Sequence, residues 1–226
     1  MFDFHVHAGT GGAGGGTLPA EVAAKAREAG YRGVALLARC DMASLRRALP
    51  PLVRACREAG LFSECEMLAG VELVHIAPPL LGEAVEQARK LGALVVGVHC
   101  EYPEGGVPVG TTLSAIHAGT DLLLHPGSIS LEEAALAADM GVALELSLAS
   151  RYGFFNGHIA GMARQTGASL VTGGDVGGEC RFAPLRVRQG FLRGAGLSVG
   201  EIERIEACCL RFMTQRVAGP LSQGAG

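Results

Sequence analysis

The sequence predicts a parallel α/β barrel, on three observations. Seven short apolar runs, each followed by a helical pattern, recur at intervals of about twenty to thirty-five residues, the rhythm of strand–helix units in a parallel sheet. Gly30, Gly92, Gly141 and Gly167 precede four of these runs, where a helix C-terminal cap belongs. Acidic and imidazole side chains stand at the C-terminal ends of the runs. In a barrel those ends meet on one face, whereas an open sheet spreads them along an edge.

The elements follow in order. In residues 2–7, Phe4 and Val6 alternate with His5 and His7; on a strand both imidazoles then share a face. Residues 33–38 form the second strand, and Leu45, Leu49, Leu52, Cys56 and Ala59 follow at helical spacing. Residues 67–74 form the third, with Glu72 at its end, before a helix with Leu81, Ala84, Val85 and Ala88 on one face. The fourth, 93–99, ends in His99, and the fifth, 121–125, in His125. The sixth, 142–146, carries Glu145 at its end, and the seventh, 168–172, leads to Asp175. Residues 198–217 read as one or two closing helices. Residues 1–218 form one domain and 219–226 a loose tail.

Composition narrows the classes. The chain has 226 residues, 49% hydrophobic and 18% charged, enough for one sizeable core and too apolar for disorder. No apolar run approaches the eighteen or so residues of a membrane span. The formal net charge of −3 disfavours long nucleic acid as a partner. The start lacks the basic region of a secretory signal, so a cytoplasmic location is expected. Seven cysteines form no C-x-x-C pair and read as buried thiols.

The polar strand ends carry the chemistry. His5 and His7 suit chelation of one ion, although a hydrogen-bonded pair of core histidines has the same spacing. Glu72, His99, His125 and Asp175 each follow a run that should be buried, and a buried charge needs a partner. Lysine and arginine are scarce at these positions, so a divalent cation is the expected counter-charge.

Six stretches in this order, Asp-Phe-His-Val-His, Gly-Val-Glu-Leu-Val-His, Val-His-Cys-Glu, Leu-His-Pro-Gly, Leu-Glu-Leu and Asn-Gly-His, resemble the polymerase-and-histidinol-phosphatase (PHP) superfamily, and within it small prokaryotic histidinol-phosphatase-like proteins. The resemblance runs from residue 2 to about residue 184. It implies a distorted (β/α)7 TIM-like barrel with metal ions at its C-terminal face. It further implies that His5, His7, Glu72 and Asp175 hold one ion, and that Glu72 bridges to a second completed by His99 and His125. Imidazole and carboxylate donors suit zinc, manganese or iron alike. The family's third ion is expected to be lost. Leu37-Ala38-Arg39 replaces Thr-Asp-His, Asp175-Val176-Gly177 replaces Asp-Ala-His, and the glycine-rich stretch 9–16 replaces a further histidine.

The expected activity is hydrolysis of a small phosphorylated metabolite by a metal-bridging hydroxide at this dinuclear centre. Asp175 is a candidate proton acceptor. Arg39, at a position of the lost third ion, is a candidate phosphate clamp or a surface arginine. Arg151 is a second candidate for binding substrate. His158 could bind phosphate or act as a general acid, or simply begin a helix capped by Asn156. Glu101 could orient a ligand imidazole, Glu145 could face the barrel mouth, His75 could stand behind the ligands, and His117 falls on a helix. The alternative function is a weakly active or inert metal- and anion-binding protein with a regulatory role. Two other readings are set aside. Residues 9–14 match G-x-G-x-x-G, but the preceding strand ends in histidines rather than running apolar into the glycines. Amidohydrolases share His-x-His, but many need a strand-end lysine as a carbamate bridge, and Lys25 and Lys90 fall in predicted helices.

Overall fold

The computed structural model describes residues 1–7 and 17–217; the glycine-rich stretch 9–16 and the tail 219–226 lie outside the described residues. Seven parallel strands run in chain order: β1 (Phe2–His7), β2 (Gly33–Cys40), β3 (Glu66–Leu73), β4 (Val95–His99), β5 (Leu122–Leu124), β6 (Ala143–Ser147) and β7 (Leu170–Gly173). The helices are α1 (Pro19–Glu28), α2 (Leu45–Gly60), α3 (Leu81–Lys90), α4 (Thr111–His117), α5 (Leu131–Met140), α6 (Ser150–Gly153), α7 (Asn156–Thr166), α8 (Leu185–Gly194) and α9 (Val199–Val217).

Local chemistry accounts for the layers. The strands are almost wholly buried, as expected of a sheet covered on both faces. The apolar positions predicted for α2 and α3 are the ones these helices bury. Gly30, Gly92, Gly141 and Gly167 all have positive φ, between 70° and 96°, a region that glycine enters without a steric penalty. The seven cysteines are free thiols, all buried except the half-buried Cys208.

The barrel is a distorted (β/α)7 barrel that closes imperfectly. β7 meets β1 through Thr172, whose Oγ1 donates to the Phe2 carbonyl (3.2 Å), and through one bridge between Val6 and Val176. In that bridge the His7 amide donates to the Val176 carbonyl and the Val176 amide to the His5 carbonyl. Where the ladder is missing, the buried Asp3 carboxylate stands in: its Oδ1 accepts from the His5 and Gly174 amides at 3.0 and 2.8 Å. Burial pushes its carboxyl up to about 6, against these hydrogen bonds. A register shift between Asp3 and Val6 accompanies the seam. The fully buried Arg188 of α8 anchors the start of β1, donating to the Phe2 carbonyl and to Glu206 of α9.

Three details differ from the sequence reading. β6 runs to Ser147, which makes Glu145 its midpoint rather than its end. β5 keeps three residues, and His125 lies just past it with φ 53°. The closing segment is the single helix α9, as the reading allows, but the preceding α8 had no counterpart in it.

Candidate metal centre

The C-terminal strand ends bring His5, His7, Glu72, His99, His125 and Asp175 to one place. His7 Nε2 lies 3.5 Å from Glu72 Oε2 and 3.2 Å from Asp175 Oδ1. His5 Nε2 lies 3.8 Å from each of the same two oxygens. Ligand atoms bound tetrahedrally at about 2.0–2.2 Å from one ion would stand roughly 3.3–3.6 Å apart; His5, His7 and Glu72 converge closely enough to share a cation, while Asp175 stands beside that triplet rather than within it. The fit is supported independently by buried atoms without partners: His5 Nε2 and Glu72 Oε2 make no hydrogen bond, a costly arrangement unless something else satisfies them.

The outward nitrogens fix the tautomers. His5 Nδ1 donates to Glu145 Oε1 (2.8 Å) and His7 Nδ1 to the Leu37 carbonyl (3.2 Å). Both Nε2 atoms therefore face the cluster, the usual way a protein orients a ligand imidazole. Glu72 divides its oxygens: Oε2 faces His5 and His7, while Oε1 accepts from His99 Nδ1 at 2.7 Å.

The second expected group is gathered less completely. His99 and His125 are neighbours, with ring centroids 5.2 Å apart. Yet the triplets of donors that converge are His5–His7–Glu72 and His5–His125–Glu145, not Glu72–His99–His125. The reason is local. His99 bonds Glu72 directly, and His125 is drawn to Glu145, whose Oε2 accepts the His125 amide (2.7 Å) and lies 3.0 Å from Nδ1, off the line of a hydrogen bond.

Charge favours a cation here. Burial alone would raise the Glu72 and Glu145 carboxyls, but the surrounding imidazoles outweigh it and hold both well below the usual carboxylate range. Asp175, by the same balance, is held at about 2. Burial disfavours a charged His5, yet Glu145 and Glu72 overcome it and keep its pKa well above that of an ordinary histidine. A metal ion needs the deprotonated ring, so it must displace that proton. Because the folded pKa is raised, proton competition persists to higher pH than for a free histidine. Cation uptake is therefore expected to release protons, with affinity falling as pH drops. Calorimetry in buffers of different ionisation enthalpy checks this; a buffer-independent heat would contradict it.

Two arginines reach the same carboxylates from solvent. Arg39 Nε lies 3.5 Å from Glu72 Oε2, and Arg151 Nη2 donates to Asp175 Oδ2 at 3.0 Å. More than half of each arginine side chain is exposed. The expected scarcity of cations at the strand ends thus needs correction, since both arginines fold back over the cluster.

Other expected residues lie elsewhere. His158 Nε2 donates to the Ile129 carbonyl (2.7 Å), tying α7 to the loop after β5. Asn156 is not the cap of α7; it is buried, and its side chain pairs with both backbone groups of Ser147. Glu101 orients no imidazole: its oxygens accept from the Gly110 and Thr112 amides at the start of α4. His75 and His117 are exposed. Lys25 reaches the Glu179 carbonyl and Lys90 pairs with Glu86, so neither takes the place of a bridging carbamate.

Sequence reasoning missed Asp3, Tyr152 and the importance of Glu145. Asp3 carried a signal in Asp-x-His on a buried strand. Tyr152, stacked face to face on His125 with centroids 3.6 Å apart, carried none.

This fold is shared with metal-dependent hydrolases, both PHP-family histidinol phosphatases and amidohydrolase barrels. The structure is similar to histidinol phosphate phosphatase from Lactococcus lactis, solved with zinc, L-histidinol and phosphate, with a TM-score of 0.62 at 12% identity over 87% of this chain and 94% of that one. It is also similar to Aspergillus niger ochratoxinase, with a TM-score of 0.60 at 13% identity over 98% and 71% of the two chains. In sequence, an uncharacterized protein of Methanocaldococcus jannaschii is 28% identical over 204 residues, covering 89% of this chain and 93% of its own. No family model matches the sequence. No helix among the described residues is long and apolar enough to cross a membrane.

Proposed function

We propose that the protein is a metal-dependent phosphoesterase acting on a small phosphorylated metabolite. The observation that carries this reading is the pair of exposed arginines resting on the two carboxylates of the cation cluster. A guanidinium matches phosphate in charge and in bidentate geometry. Arg39 near the end of β2 and Arg151 after β6 approach the cluster from different carboxylates, so a phosphoryl group over the cluster would meet both.

His5, His7, Glu72 and Asp175 would hold one divalent ion, and Glu72, His99 and His125 a second; zinc, manganese and iron all suit these donors. When bound, such ions supply Lewis acidity toward a phosphoryl oxygen and lower the pKa of water. The chain does the rest. Glu145 keeps His5 in its ligating tautomer and holds His125 through its amide. Asp175 offers Oδ1 to the cation position and leaves Oδ2 toward Arg151, where that oxygen can accept a proton once the arginine turns to substrate. The reading gives His158 no part, because its ring is engaged with Ile129. The placement of both lysines away from the cluster favours this reading over amide hydrolysis by a carbamate-bridged centre.

The test is turnover of phosphate esters by protein loaded with Mn²⁺ or Zn²⁺, first p-nitrophenyl phosphate and then a panel of phosphorylated metabolites. Hydrolysis that is abolished by chelation and restored by metal is the expected result. Failure across the panel with metal bound would favour a binding role instead. Within this reading, Arg39→Ala raises KM by about tenfold with metal content unchanged; an unchanged KM would remove Arg39 from the phosphate site.

A further inference from the structure

Tyr152 is 5% exposed, although Arg151 before it and Phe154 after it face solvent. Its ring and that of His125 lie 3.6 Å apart at 16°. His125 is stacked in turn on His5, with centroids 4.8 Å apart at 30°. The Arg151 guanidinium carbon stands 4.5 Å from the Tyr152 ring centre. Two planar groups cannot share one face of a ring at those distances, so His125 and Arg151 take opposite faces. The column His5–His125–Tyr152–Arg151 then closes on itself: Arg151 bonds Asp175 Oδ2, and Asp175 Oδ1 faces His5 Nε2. Tyr102 stands edge-on to both Tyr152 and His99 and braces the column from the side.

A tyrosine serving only to fill space would have no reason to hold a cation ligand on one face and a solvent-exposed guanidinium on the other. Stacking fixes the plane of each partner. For Arg151 the ring offers a surface over which its donors can turn from Asp175 to an incoming anion. For His125 it supplies restraint that Glu145 does not, since the Nδ1 of that ring lies off the line of a hydrogen bond.

We propose that Tyr152 is a positioning residue that couples the phosphate clamp Arg151 to the cation ligand His125 through a continuous stack. The proposal rests on the phosphoesterase reading and adds to it a specific route by which phosphate affinity and cation binding depend on one ring.

The experiment is a double-mutant cycle on the full-length chain loaded with Mn²⁺, with inorganic phosphate as the probe and calorimetry as the readout. Arg151→Gln is expected to weaken phosphate binding about tenfold. Tyr152→Leu weakens it comparably and also weakens Mn²⁺ binding, while Tyr152→Phe, which keeps the ring, stays near the unsubstituted protein. The double variant Arg151→Gln with Tyr152→Leu is no weaker than the worse single one, because the two residues act as a unit. Losses that multiply in the double variant, or a Tyr152→Phe as damaged as Tyr152→Leu, would overturn the coupling. Should Tyr152→Leu fail to fold by circular dichroism, Arg151→Lys decides. It keeps the charge but loses the planar group and is expected to bind phosphate nearly as weakly as Arg151→Gln; unsubstituted affinity in that variant would overturn the proposal. An unsubstituted, Mn²⁺-loaded protein that binds no phosphate would instead remove the phosphoesterase reading, and this inference with it.

Discussion

Glu72→Gln is expected to lower phosphate ester turnover by at least about 10³-fold, the several kcal/mol a metal supplies to such a transition state. The same substitution should leave the chain unable to hold two cations. The oxygens of Glu72 face both halves of the cluster, Oε2 toward His5 and His7 and Oε1 toward His99. The amide keeps the size and one acceptor oxygen but removes the negative charge that the imidazoles stabilise. Elemental analysis beside steady-state kinetics checks both halves of the expectation. Two bound cations with unchanged turnover would show that Glu72 does not bridge.

Glu145→Ala is expected to weaken divalent cation binding by about 10- to 100-fold and to destabilise the fold by about 3–5 kcal/mol, as removal of one partner from a buried charged pair does. Glu145 would touch no cation in the proposed arrangement. Its Oε1 accepts from His5 and its Oε2 from the His125 amide, at complete burial. The backbone makes room for it: a Cβ on Gly173 would overlap the Glu145 carboxylate and come 2.6 Å from the His5 Cβ. Denaturant melts with calorimetric metal titrations separate the two effects. Cation affinity that survives Glu145→Ala would mean the imidazoles hold their orientation without it.

The barrel and most of the cluster were legible because their signals are local. Apolar runs, helical spacing and glycine caps each report on a few neighbouring residues, and the structure places strands, buried helix faces and left-handed glycines where those patterns put them. His5 and His7 were legible by alternation within one strand. Glu72, His99, His125 and Asp175 were legible because a polar residue at the end of a buried run needs an explanation. What was not legible depends on contacts between strands far apart in sequence. Glu145 looked like a strand end because its strand runs one residue past the end of its apolar run. Its importance comes from His5, 140 positions away. Asp3 completes a ladder that β1 and β7 leave open, and no pattern in either strand announces the gap. Glu101 looked like an orienting acid from its distance to His99, but a nearby helix start offered its two free amides instead. Two non-glycine residues of the cluster, His125 and Asp175, have positive φ, 53° and 47°. Such backbone is sparsely populated and gathers where side chains must be aimed.

The most direct measurement is anomalous diffraction from crystals of the protein equilibrated with Mn²⁺ or Zn²⁺. Two peaks about 3.5–4 Å apart, one among His5, His7 and Asp175 and one beside His99 and His125, with Glu72 between them, are what this account predicts. Peaks lying away from Glu72, or none at these histidines under saturating metal, would contradict it.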